Sequence, residues 1–84
     1  MLMQGGNDAD GIVLQVHQTG ILVNNLPQVN IQVQVVPARG QNFVTEVKEF
    51  LPFTELQNVQ PGTKLKVKYN PRNHKQVMIL KNTG

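Results

Sequence analysis

The chain reads as an all-β domain, a small partly open barrel of five strands. Three observations predict this. Val29, Ile31, Val33 and Val35 alternate with Asn30, Gln32 and Gln34, and Leu65, Val67 and Tyr69 alternate with Lys64, Lys66 and Lys68, the period-two pattern of strands with one buried face. No stretch carries the 3.6-residue period of an amphipathic helix. Turn formers punctuate the chain at Thr19-Gly20, Pro37 to Asn42, Pro61-Gly62 and Asn70-Pro71. Eighty-four residues accommodate one core of this kind and leave no room for a second.

Each element follows from its residues. Residues 1–10 are polar and aperiodic and read as an N-terminal tail, so the domain is expected over residues 11–81, with a short C-terminal tail at 82–84. In the first strand Ile12, Leu14 and Val16 take the inward parity and Val13, Gln15 and His17 the outward one. Thr19-Gly20 is the expected hairpin turn, because Gly supplies positive φ without steric cost. A short strand Ile21–Asn24 is then interrupted at Asn25-Leu26-Pro27, where Pro lacks the amide a ladder needs. The second long strand carries Val29 to Val35. Phe43–Leu51 returns, with an imperfect alternation that a bulge near Lys48 reconciles. Pro52 ends it, and Phe53–Asn58 has room for one helical or 3₁₀ turn.

The fourth strand is Thr63–Asn70, Asn70 to Lys75 form a turn, and Gln76–Lys81 make a last, largely apolar strand. The initial meander favours an OB-like barrel, with an SH3-like barrel as the alternative.

Composition excludes several chemistries. There is no Cys, Ser or Trp, which removes disulfides, thiolate metal sites and Cys or Ser nucleophiles. No catalytic group, metal or cofactor is expected. His17 and His74, the only histidines, have no second ligand or acid at useful spacing, and Asp8 and Asp10 fall in the expected tail. Nineteen Asn and Gln against 15% charged residues make the polarity mostly uncharged amide. No apolar run approaches the ~20 residues that cross a bilayer, so the chain is expected to be soluble as given, with its compartment left open.

Formal charge is +3, unevenly spread. Residues 1–55 hold two bases against five acids, whereas residues 56–84 hold Lys64, Lys66, Lys68, Arg72, Lys75 and Lys81 and no acid. This basic segment is the first candidate site. Lys64, Lys66 and Lys68 on one strand face, extended by Arg72 and Lys75, suit phosphate tracking. The bland reading of the same row is a solvated face that discourages edge-to-edge pairing. Single-strand binders also need exposed aromatics for base stacking, and of Phe43, Phe50, Phe53 and Tyr69 most are expected to serve the core, Tyr69 by its inward parity with Leu65 and Val67. The second candidate is an interface: Val13, Val36, Met78 and Leu80 take outward parities, and a contiguous set of them would mark a homodimer or a protein partner.

The string Gly11-x-Val13, Thr19-Gly20, Val23-Asn24, Pro27, Val33-x-Val35-x-Pro37, Gly40, Phe43, Pro52, Val59-x-Pro61-Gly62 and Val67-x-Tyr69-Asn70-Pro71 resembles a small all-β bacterial domain of unknown function. That domain often follows membrane spans in short membrane-anchored proteins. The likeness covers residues 11–80. It departs where the family tends to have Asp-Pro after the fourth strand and a second Pro soon after; here stand Asn70-Pro71 and His74. The resemblance implies the fold, carries no catalytic residues and leaves the function open. The reading adopted is a non-enzymatic binding or interaction module, the soluble domain of a membrane-associated bacterial protein. An OB-type nucleic-acid binder is the alternative.

Overall fold

The computed structural model describes residues 6–80, so the expected tail segments 1–5 and 82–84, with Lys81, lie outside the described residues. Five antiparallel strands make one sheet: β1 (Asn7–Val23), β2 (Leu26–Val36), β3 (Phe43–Phe50), β4 (Lys64–Asn70) and β5 (Asn73–Ile79). Their order is β3-β2-β1-β4-β5. The sheet curls until β3 and β5 pack against each other, giving a nearly closed barrel of the OB-like or SH3-like class expected from the alternation. A 3₁₀ segment, Phe53–Val59, connects β3 to β4 and buries Val59 against the core. No described helix is long and apolar enough to cross a membrane.

The core follows from β-branched side chains on one face of β2. Val29, Ile31, Val33 and Val35 are fully buried, and Val67, Leu65 and Tyr69 of β4 meet them from across the barrel. Branched side chains pack well on a pleated surface, and neither β2 against β3 nor β4 along its main run contains a bulge that would exchange faces.

Strand β1 differs most from expectation. It starts at Asn7, so Asn7 to Asp10, expected in a tail, are ladder residues paired with Tyr69 to Lys66 of β4. A register shift between Val13 and Gln15 leaves Leu14 as an extra residue. Above this bulge Ala9, Gly11 and Val13 point inward; below it Val16, opposite Ile31, packs on the core. Ile12, opposite Gln34, is therefore on the outer face. Val13, expected at an interface, is only 1% exposed.

The hairpin turn also moves. Asn24 and Asn25 have φ of 52° and 64°, the two positive values of a tight two-residue loop whose twist matches the flanking strands. Asn tolerates this region better than other non-glycine residues. Thr19 and Gly20 sit instead in an irregular stretch of β1 between Gln18 and Leu22, where Thr19 Oγ1 donates to Gln28 Oε1 at 2.8 Å. Pro27 is an ordinary member of β2. No bulge occurs at Lys48: β3 pairs in continuous register with β2, so Val44 and Phe50 face outward. The turn after β4 is just Pro71-Arg72, because Asn70 pairs with Asn73, and His74 and Lys75 belong to β5.

The seam between β3 and β5, which no ladder joins, is fastened at one end by aromatic rings. Phe43 and His74 stack with centroids 3.9 Å apart and planes 10° from parallel, and Tyr69 meets both edge-on. Such pairs contribute about 0.5–1.5 kcal/mol beyond area burial. His74→Ala is expected to lower unfolding stability by about that amount and to raise amide exchange selectively at the start of β3 and β5, which hydrogen-exchange NMR reads residue by residue.

Candidate functional site

Three surfaces compete as the functional site, and the strands that hold them decide what each offers. The lysine row lies where the alternation places it, on the outer face of β4. Register brings Asp8 opposite Lys68, Asp10 opposite Lys66 and Ile12 opposite Lys64. Lys66 Nζ donates to Asp10 Oδ1, and Lys68 Nζ stands 3.8 Å from Asp8 Oδ1. The hydrogen bond and charge of Lys66, with a smaller contribution from Lys64, hold the Asp10 carboxyl below its ordinary range. The acid-rich and base-rich parts of the sequence are thus interleaved on one surface, and two of the three lysines are matched by acids. Surface pairs of this kind add little to stability, but they cancel the local field that would attract phosphate.

Among the described residues, Lys64, Arg72 and Lys75 form no salt bridge. Arg72 sits in a turn pinned by side-chain amides: its backbone N–H donates to Asn70 Oδ1 at 2.9 Å, while Asn70 Nδ2 donates to Gln76 Oε1 at 2.8 Å. Lys64 and this turn are at opposite ends of β4, roughly 20 Å apart at ~3.3 Å per residue. Between them stand Lys66 and Lys68, each matched by an acid of β1. Two of the aromatics, Phe50 and Phe53, are exposed. Phe50 stands on β3 and Phe53 in the 3₁₀ segment, whereas the basic side chains stand on β4, its following turn and β5.

Of the four expected interface residues, Val13 is core, as its place above the bulge dictates. Val36 and Leu80 are half-buried and line a shallow hollow with Ala9, Ala38 and Lys66. Met78 is exposed opposite Lys68. These three flank the two ion pairs instead of forming a continuous apolar surface.

The surface that the alternation did not reveal is the projecting end of the β1–β2 hairpin. Pairing of β1 with β4 stops at Ile12, and the last bonds on that side join Val13 to Thr63 and Gly62. From Gln15 to Val23 that edge of β1 has no strand partner among the described residues. Ile21, Leu22 and Val23 are 51%, 60% and 48% exposed. No Asp, Glu, Lys or Arg occurs from Gly11 to Ala38, so the arm is uncharged over its whole length. The run Ile21-Leu22-Val23 was legible as apolar, but its exposure depends on the turn lying at Asn24-Asn25.

The third surface is a cleft of about 610 Å³ at the end of the β3/β5 seam remote from the stacked rings. Its floor is Ile31, Val59, Leu65 and Ile79, and Glu49 and Glu55 are its ionisable groups. Glu55 accepts a hydrogen bond from Asn58 Nδ2 at 3.0 Å. Glu49 takes the inward parity opposite Val29, and burial raises its carboxyl above the usual 4.5. A carboxyl raised in the folded state binds its proton more tightly there than in the unfolded chain. Stability therefore falls as pH rises from 4.5 through the folded value. Glu49→Gln is expected to melt at higher temperature than the parent at pH 7, with the advantage shrinking as pH falls through the raised value toward 4.5; thermal melts at several pH values read it.

Among the described residues no group of three or more His, Cys, Asp or Glu side chains gathers as a metal site. Comparison with family models, with curated proteins and with solved structures yields no match.

Proposed function

We propose that this chain is a non-enzymatic interaction module on an OB-type barrel, and that it associates with a second copy of itself through the projecting β1–β2 arm. The observation that carries the reading is the free edge of β1 from Gln15 to Val23, uncharged and bearing exposed Ile21, Leu22 and Val23. Open strand edges pair readily with another strand, and proteins that avoid such pairing place charges on the edge. Here the edge has none. Two copies carrying like net charge approach along this arm without local repulsion, and antiparallel pairing of identical edges closes as a two-fold dimer. The OB-type assignment is supported by the strand order, with β1 shared between β2 and β4 and β5 returning beside β3. The resemblance to a domain of membrane-associated bacterial proteins suits a module whose work is contact.

Sedimentation velocity over a range of protein concentrations tests this. A monomer–dimer equilibrium is expected, and Leu22→Asp shifts it to monomer while the far-UV circular dichroism stays unchanged. A parent that remains monomeric up to millimolar concentration removes the reading.

Nucleic-acid binding is the second reading, favoured by the unpaired Arg72 and Lys75 beside the rigid β4–β5 turn. It predicts micromolar binding of single-stranded DNA near 50 mM salt that weakens steeply as salt rises. Asp8→Asn with Asp10→Asn, by releasing Lys66 and Lys68, then tightens it. No binding by either protein at low salt disposes of it.

A further inference from the structure

The barrel is shut at one end of its seam and open at the other. At the start of β3 and β5 the Phe43–His74 stack closes it. Toward their ends the cleft intervenes, and β3 and β5, the two termini of the sheet order, face each other without a ladder. Two features of this opening point to what it takes. Strand edges present main-chain donors and acceptors to an incoming segment, the basis of recognition by strand addition. Glu49 has no hydrogen-bond or ion-pair partner among the described residues, although it is half-buried over an apolar floor of Ile31, Leu65 and Ile79. A carboxylate partly removed from water and left without a cation is an unfavourable arrangement in the free protein. A cation on an aliphatic stem relieves it, its methylenes lying on the floor and its head on the carboxylate.

We infer that the open half of the β3/β5 seam binds a short extended peptide segment that places a lysine or arginine side chain on Glu49. The site is separate from the β1–β2 arm, so it stands whether or not the arm pairs two copies. Bound peptide extends the fastening that Phe43 and His74 begin, joining β3 to β5 over their remaining length. Because the contact needs the ionised carboxylate, affinity rises with pH through the titration of Glu49. Glu55, already bonded to Asn58, is the other ionisable group in the cleft.

The test is NMR titration of the ¹⁵N-labelled protein with an acetylated, amidated pentapeptide of alternating valine and lysine. The same peptide with glutamate for lysine and hexylamine alone are run beside it. Shifts are expected at the amides of Glu49, Leu51, Ile79 and Leu80, with the glutamate peptide inert and hexylamine about tenfold weaker than the lysine peptide. Glu49→Gln, expected to fold more stably than the parent, weakens the lysine peptide about tenfold. Lysine-peptide shifts confined to β4 or the arm, or equal binding by Glu49→Gln, overturn the inference. Hexylamine binding as tightly as the peptide overturns the strand-addition part.

Discussion

Ile31→Ala is expected to lower unfolding stability by about 2–5 kcal/mol, the range for emptying a fully buried branched side chain. Ile31 is the largest side chain with no exposure at all and sits between the buried Val29 and Val33 of β2. It also faces Val47 of β3 and Val16 of β1 and lies at the floor of the cleft. A domain of this size has a total stability of about that order, so the variant is largely unfolded in modest urea. Ile31→Val, which removes one methyl, costs about 0.5–1.5 kcal/mol. Urea unfolding of the pair separates a cavity from a general intolerance at this position: similar losses from both would contradict tight packing around Ile31.

Gly11→Val carries a comparable effect by the opposite route. Gly11 is buried where β1 pairs with both β2 and β4, opposite Val35 on one side and Leu65 on the other. A Cβ added there stands 2.9 Å from Val33 Cγ1 and 3.1 Å from Val67 Cγ1, closer than carbon atoms approach without displacement. Its φ is not in the left-handed region, so the constraint is space, not backbone conformation. Even Gly11→Ala forces the two valines apart, and Gly11→Val adds two methyls to a filled core, with an expected loss of about 1–3 kcal/mol or more. Combining Gly11→Ala with Val33→Ala relieves the closest approach. The pair is expected to lose less than the sum of the single losses, a coupling that a double-mutant cycle measures.

The small inward residues of β1 explain why its beginning was hidden in the sequence. Ala9 and Gly11 supply no apolar peak, so Asp8 and Asp10 looked like a polar tail although they are the outward partners of Lys68 and Lys66. The pairing of Lys66 and Lys68 with these acids was hidden for the same reason. The bulge at Leu14 was likewise unmarked: no Gly or Pro signals it, and an uninterrupted period of two assigns Ile12 and Val13 to the wrong faces. Gly20 does have the positive φ its type suggests, 91°, but within an irregular strand; the chain reverses at Asn24-Asn25, whose side chains tolerate that conformation without announcing it.

Where no bulge intervenes, alternation was sufficient. The buried valines of β2 and the inward Leu65, Val67 and Tyr69 of β4 are where their parity puts them. The five-stranded barrel was legible for that reason. The arm and the cleft were not, because each depends on where pairing stops, and that is decided between strands, not along one. Exposure of Phe50 belongs to the same class: continuous β2–β3 register, not a bulge at Lys48, turns it outward.

Self-association through the arm is tested most directly by amide hydrogen exchange at two protein concentrations on either side of the dimerisation midpoint. Pairing of the β1 edge predicts that protection rises with concentration along Gln15–Val23 and stays constant in β4 and β5. Protection of Gln15–Val23 that is independent of concentration, or a rise confined to β4 and β5, would contradict it.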